Sequence, residues 1–426
     1  MQTSGEYTIM EKLKIHGGRT LEGSIRVQGA KNSVLPILAG AILVQGESLL
    51  QNCPDLKDVD AAISILRHLG CTVSRQGGDV YIDSSMLTRC DIPDDLMREM
   101  RSSVIFLGAI LGRMGEAQLS MPGGCELGPR PINLHLDALR ALGAELLETE
   151  NGIVCRAQKL TGAEIALPSP SVGATENAML AAVCAEGETV ITNAAREPEI
   201  VDLARFLEAS GARIQGAGES TIMIQGGGME RSVTHRIMPD RIVASTYLSA
   251  VAVTGGRVEL LDTEPSHMET VIVALRASGC EIEISGQNLH IRSDGVLRAI
   301  SPVITQPYPG FPTDAMPCLL AASVKAQGTT VFIENIFENR YRYVEELRRM
   351  GAEIALEGRV AVVTGVSRLT GTYVEATDLR GGAALVVAAL CAESETQIGE
   401  LVHIDRGYDN LEETLRQIGA DIVREG

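Results

Sequence analysis

Residues 121–135 read MPGGCELGPRPINLH, with three glycines and three prolines around a single thiol, Cys125. That density of Gly and Pro specifies a loop, and Gly123 and Gly124 leave it free to move. Arg130, five residues on, could stabilise a thiolate and lower its pKa, making Cys125 a reactive nucleophile. The alternative is a half-buried structural cysteine on a turn. Lys31 and Asn32, in QGAKNSVLP, stand at the start of a predicted helix, where unpaired N–H groups favour anions. A solvated surface lysine is the plainer alternative. Asp314, in YPGFPTDAM, precedes an Ala/Leu-rich helix, and the common role for such an Asp is an N-cap. Arg340 in IFENRYRYVEEL marks a strand-to-helix junction. Asp378 and Arg380 in ATDLRGGAAL precede another helix, and His403, Asp405 and Arg406 in VHIDRGYDNLEE precede the last one. Singly these are caps or surface ion pairs.

Taken together, Lys31, Arg130, Arg340, Arg380 and Arg406 are cations at element junctions of an acidic chain. They point to one pocket for a substrate bearing phosphate and carboxylate groups, which the planar guanidinium grips in bidentate fashion. No P-loop and no GxGxxG after a strand is present, so nucleotide hydrolysis and nicotinamide binding have no support.

The elements that position these residues repeat. The segments LRHLGCTV, LRALGAEL, FLEASGARI, LRASGCEI, LRRMGAEI and LRQIGADI recur about every 70 residues, with glycines at 70, 143, 211, 279, 351 and 419. Each is a helix-like segment ending in Leu-Gly or a close variant, followed by a short strand. A second series interleaves: QGESLLQN, GEAQLSM, EGETVITN, GGRVELLD, QGTTVFIEN and the weaker SETQIGEL, each an Ala- or Leu-rich helix, a turn and a strand. The first inner helix is predicted over 34–45. Each unit reads helix, strand, helix, strand, strand, and six units in one chain suggest two domains of three.

Bulk composition agrees with a folded α/β protein. The chain has 426 residues, 45% of them apolar, and a net charge of −18. With only six lysines, it offers no cationic face for nucleic acid or anionic lipid. Nine cysteines occur without a CxxC pair or a Cys/His cluster, so neither a metal site nor a disulfide framework is expected. The longest apolar runs, 34–44 and 383–392, fall short of the roughly 20 residues that span a bilayer. A cytoplasmic protein without nucleic-acid or membrane partners is the expectation.

The motifs GAKN, PGGCELGPRP, SVGAT, NAAREPEIVD, MPDRI, FPTD, FENR, ATDLR and HIDRGY, in that order, resemble the UDP-N-acetylglucosamine 1-carboxyvinyltransferase family, and the resemblance runs from residue 12 to residue 420. These are the enolpyruvyl transferases of peptidoglycan synthesis. The shikimate 3-phosphate enolpyruvyl transferases share the fold but lack the PGGC loop and the HIDRGY ending. The resemblance implies six βαβαββ repeats in a two-domain inverse α/β barrel. Residues 1–30 with 240–426 would form one domain and 31–239 the other, and the site would lie in the cleft between them, assembled by closure on the nucleotide.

The reaction implied is transfer of enolpyruvate from phosphoenolpyruvate to the 3-hydroxyl of UDP-N-acetylglucosamine, without metal or organic cofactor. The resemblance makes Cys125, Asp314, Lys31 and Arg406 the catalytic residues. Cys125 would protonate phosphoenolpyruvate and react with fosfomycin, and Asp314 would be the base at the 3-hydroxyl. Lys31, Asn32, Arg130, Arg380 and Arg406 would hold phosphoenolpyruvate. Arg101, Arg130, Pro131, Ile132, Asn133, Leu134, Ser171, Val172, Gly173, Asp314 and Ile336 would contact the sugar nucleotide, with Arg340 and Asp378 in support. The chain departs from some members at Asn133, Ser169 and Ile105, where they carry Asp, Lys and Trp, and these changes bear on nucleotide binding.

Overall fold

A computed structural model of the chain describes residues 11–100, 102–120, 132–149, 152–227, 229 and 231–426. Its strands form six four-stranded sheets among the described residues. One repeat shows the plan of all six. Strand Val303–Ile304 leads to helix Met316–Ser323, strand Thr329–Ile333, helix Val344–Arg349, then strands Glu353–Glu357 and Val360–Thr364. The first two strands pair in parallel, and the last two extend the sheet antiparallel. This is the βαβαββ unit. The opening strand of the unit is as short as two residues, and no apolar pattern of that length can be read from sequence.

The two helices of each unit differ because their sequences do. Helix Met316–Ser323 is buried along its whole length, as are nearly all of Arg241–Thr254 and Leu379–Leu390. Such all-round apolar helices have to lie inside. Their serines and threonines satisfy themselves: Ser245, Thr246 and Ser249 each donate to the carbonyl four residues back. The second helix of each unit is amphipathic. Lys57–Leu69 buries Val59, Ala62, Ile63, Leu66 and Leu69 and turns Lys57, Asp60 and Arg67 outward, Asp58 alone of its acidic residues being buried. The sheets bury one face: Glu353–Glu357 and Val360–Thr364 alternate inward and outward residues. Helices inside and sheets outside make an inverse α/β barrel, with no closed barrel of strands.

The chain divides into two compact units. Of the described residues, the first comprises those within 11–27, 241–306 and 310–426, and the second those within 28–240 with 307–309. Each has its own apolar core. Three sheets are completed by strands far away in sequence. Lys12–His16 lies between Glu395–Gly399 and Asp421–Glu425, Leu21–Arg26 pairs with Gly256–Leu261, and Val233–Arg236 pairs with Glu47–Gln51. In the second unit the segments 28–30 and 238–240 run side by side, with Ala30 N–H donating to Met238 O at 2.7 Å and Asp240 N–H to Gln28 O at 2.9 Å. A Cβ on Gly29 would sit 1.9 Å from Asn52 O, so only glycine allows this approach.

The glycines at 70, 143, 211, 279, 351 and 419 all have φ between 94° and 118°, the left-handed closure of the repeat. The first inner helix runs Lys31–Ala41, beginning earlier than 34 because Lys31 already has helical geometry behind Ala30. No helix of the described residues is long and apolar enough to cross a membrane.

Candidate active site

In the first unit the FPTD, FENR and ATDLR motifs converge. Asp314 is not an N-cap: helix Met316–Ser323 is preceded by Ala315 and has no side-chain cap. Its carboxylate is instead held by two buried arginines. Arg340 Nη2 donates to Oδ1 at 2.5 Å, and Arg380 Nε and Nη2 both reach Oδ2 at 3.3 Å. Their side chains are 4% and 3% exposed, whereas Asp314 is 27% exposed, so the carboxylate faces outward from a cationic base. Arg340 also donates twice to Thr313 Oγ1 and stacks over the Phe337 ring at 4.7 Å. Arg380 lies over the Tyr408 ring and reaches its hydroxyl at 3.4 Å. Asp378 is the N-cap of helix Leu379–Leu390, accepting the N–H groups of Arg380 and Gly381 at 3.0 Å each. That cap fixes the first turn from which Arg380 projects. Arg406 is half-buried in the segment after the short helix Leu401–His403, while the neighbouring Asp405 pairs with Arg424 at 2.6 Å.

The second unit holds Lys31 at the first position of its helix. The ammonium pairs with Asp58 at 2.6 Å, the two side chains being 10% and 2% exposed. Removing one partner of so buried a pair costs about 3–5 kcal/mol. Lys31 N–H donates to Asp240 Oδ2 at 3.1 Å. The next turn is tied down by Asp202, which accepts from Ser33 Oγ, from His235 Nε2 at 3.0 Å and from Met238 N–H at 3.2 Å. Asn32 is exposed beside Lys31.

Elsewhere in this unit, Asn177 joins three segments. Its Oδ1 accepts Gly108 N–H at 2.7 Å, and its Nδ2 donates to Val104 O at 2.8 Å and meets His135 Nδ1 at 2.7 Å. His135 therefore accepts at Nδ1 and carries its proton on Nε2. Burial lowers its pKa to about 4. A Cβ on Gly173 would lie 2.9 Å from His135 Cε1, so a glycine there lets the segments of Ile132, Asn133 and Leu134 and of Ser171, Val172 and Gly173 approach. Ser171 caps helix Val172–Ala182 through Ala174 N–H. Ile105 is a core residue, and Ser169 is exposed. In the first unit Ile336 is 40% exposed.

Cys125, Arg130, Pro131 and Arg101 lie outside the described residues. The other eight cysteines are free thiols. Burial pushes Cys53, Cys155 and Cys391 up to about 12, and Cys71, Cys184 and Cys318 up to about 11. It raises Cys90 and Cys280 as well. None of the eight is a thiolate at neutral pH. Among the described residues no group of three or more His, Cys, Asp or Glu side chains could hold a metal ion.

Sequence reasoning did not single out Asp58, Asp202, Asp240, Asn177 or Tyr408. Asp202, Asp240 and Tyr408 stand inside the NAAREPEIVD, MPDRI and HIDRGY motifs, so the signal was present. Asp58 and its 27-residue separation from Lys31 carry no local mark.

The EPSP synthase (3-phosphoshikimate 1-carboxyvinyltransferase) family model matches residues 15–415. UDP-N-acetylglucosamine 1-carboxyvinyltransferase 2 of Caldanaerobacter subterraneus subsp. tengcongensis is 50% identical over 97% of this chain and 100% of its own length. The UDP-N-acetylglucosamine 1-carboxyvinyltransferase of Zymomonas mobilis subsp. mobilis is 47% identical over 98% and 100%. Among solved structures, the enolpyruvyl transferase NikO from Streptomyces tendae superposes with a TM-score of 0.86 at 27% identity, covering 97% of this chain and 99% of that one. An EPSP synthase from Acinetobacter baumannii, at TM-score 0.74 and 20% identity over 98% and 100%, shares the fold. Six βαβαββ units, a carboxylate in a grip of arginines and near-full-length identity of this order together place the chain in the UDP-N-acetylglucosamine 1-carboxyvinyltransferase family of enolpyruvyl transferases.

Proposed function

We propose that this chain transfers the enolpyruvyl group of phosphoenolpyruvate to the 3-hydroxyl of UDP-N-acetylglucosamine and releases inorganic phosphate, the first committed step of peptidoglycan precursor synthesis. The observation that carries the reading is Asp314, whose part-exposed carboxylate is aimed by Arg340 and Arg380. A carboxylate so placed can take the acceptor proton as O3 attacks. Substitution at the vinylic C2 requires that carbon to become tetrahedral. A proton must therefore arrive at C3, and Cys125 is assigned to supply it. The C2–O bond to phosphate then breaks, C3 loses a proton, and the double bond returns.

Lys31, Asn32, Arg130, Arg380 and Arg406 would hold the phosphate and carboxylate of phosphoenolpyruvate. Their work is electrostatic, since charge moves onto the departing phosphate in a site from which closure expels water. Arg101, Arg130, residues 131–134, residues 171–173 and Ile336 would hold the nucleotide, with the diphosphate near the N-terminus of helix Val172–Ala182. Fosfomycin would alkylate Cys125. The same reading puts the enzyme in the cytoplasm.

The test is phosphate release from phosphoenolpyruvate with each of two acceptors, with and without fosfomycin. Release with UDP-N-acetylglucosamine alone, abolished by fosfomycin, is expected. Release with shikimate 3-phosphate alone would assign the chain to the other branch of the fold. Nucleotide binding without release under either condition would make it a binding protein rather than an enzyme.

A further inference from the structure

We infer that Glu334 is a positioning residue for Asp314, acting through Thr313 and Arg340, an assignment that rests on the role given to Asp314 above. Glu334 directly follows strand Thr329–Ile333 and is 1% exposed. Its carboxylate is met by hydroxyl and amide donors. Oε1 accepts Thr305 Oγ1 at 2.9 Å, Ile336 N–H at 2.7 Å and Phe337 N–H at 3.0 Å, and Oε2 accepts Thr313 Oγ1 at 2.8 Å. Thr305 in turn accepts Asn335 N–H at 2.8 Å. After the corresponding strand of four other repeats the chain turns through a left-handed residue, Asn52, Asn193, Asp262 or Glu400. Glu334 is not left-handed, and its side chain gathers the next turn instead.

The arrangement has a direction. Thr313 gives its one proton to Glu334, so its oxygen is left to accept, and it accepts Arg340 Nε at 3.1 Å and Nη2 at 3.0 Å. Arg340 then grips Asp314. The same carboxylate orients the backbone of Ile336 and Phe337, and the Phe337 ring lies against the Arg340 guanidinium. One buried charge thus holds both the loop carrying Asp314 and the loop carrying Ile336 and Arg340. A glutamine fills the same space, but an amide nitrogen in place of Oε2 cannot accept from Thr313. The threonine proton is then displaced toward Arg340, and the grip on Asp314 loosens.

The experiment compares full-length wild type, Glu334→Gln, Thr313→Val, their double variant and Thr313→Ser. It reads kcat, KM for both substrates and the thermal unfolding midpoint. Glu334→Gln and Thr313→Val are expected to lower kcat roughly ten- to a hundredfold, the worth of one hydrogen bond to a charged group. Nucleotide KM should change far less. The double variant should be no slower than the slower single one, because both break the same relay. Thr313→Ser, which keeps the hydroxyl, should return kcat to within about threefold of wild type. Unchanged kcat in either single variant, multiplied losses in the double, or failure of serine to rescue overturns the inference while wild type stays active. Should Glu334→Gln not fold, the Val and Ser variants at 313 decide alone. Wild type inert with UDP-N-acetylglucosamine sinks the functional reading itself, and the positioning role with it.

Discussion

Cysteine chemistry in this chain is decided by solvent. Eight thiols are held protonated by burial, three of them pushed to about 12. Reactivity with an electrophile needs thiolate and access. At neutral pH the native protein should therefore be alkylated at Cys125, and peptide mass analysis after fosfomycin should find the adduct there. An adduct on any of the other eight would remove Cys125 from the mechanism. Cys125→Ser should lose most turnover and all labelling. Asp314 tests the base: Asp314→Asn keeps a partner for Arg340 and Arg380 but cannot take a proton. Turnover should fall by about 10²–10⁴ while the nucleotide still binds. A rate near wild type would overturn its role.

His135 carries a pH signature in the folded state. Its pKa is about 4 when folded, against 6.5 for the free side chain. Between those values the unfolded chain binds more proton, so stability rises with pH across the window and is lost as pH falls from about 6.5 toward 4. The full effect is on the order of 3 kcal/mol. Unfolding midpoints measured from pH 7 to 4.5 should fall less steeply for His135→Gln than for wild type. Parallel curves would show that His135 is not the titrating group.

At the scale of the element, the turn between inner helix and central strand places glycine in the left-handed region, at Gly115, Gly187 and Gly328 for example. The last repeat has Ser394 there, at φ 68°. A side chain in that region strains against its own carbonyl. Relieving that strain is worth roughly 1–2 kcal/mol, and the added freedom of glycine when unfolded takes back roughly 0.5–1 kcal/mol, so Ser394→Gly should stabilise the first unit by a few tenths to about 1 kcal/mol. A lower denaturation midpoint would contradict this. The weak look of SETQIGEL among its sister motifs has this physical content: the geometry was kept and the residue suited to it was not.

At the scale of the molecule, the residues assigned to the reaction are divided between two units. Lys31 and the segments around 132 and 171 belong to one, and Asp314, Arg340, Arg380 and Arg406 to the other. The function proposed above has one substrate engage both sets, and closure on the nucleotide is what that proposal predicts. Small-angle scattering should show a smaller radius of gyration with UDP-N-acetylglucosamine than without. No change at saturating nucleotide would argue against a site built by closure.

Much of the architecture is written locally. The six LxxLG-type helix ends, the Ala-rich inner helices and the alternating strands each follow from periodicity and turn chemistry within a few residues. Six βαβαββ units could therefore be counted before any coordinate, save for opening strands too short to leave a pattern. The motif residues were visible for the same reason, as unusual types at junctions. What each side chain does was settled by partners that no local pattern contains. Arg380 meets Asp314 across 66 residues, Lys31 finds Asp58 across 27, and Ser33 reaches Asp202 across 169. A residue before a helix reads as a cap, and Asp378 is one. Asp314 reads the same way, but packing of three loops offers it two guanidiniums instead, and charge-assisted bonds to buried arginines outweigh one neutral backbone N–H. Periodicity, turn chemistry and motif order were enough for the repeat, the elements and the family. Tertiary structure alone decided which charges meet, because burial and long-range contact, not sequence neighbours, set the energy of a polar group.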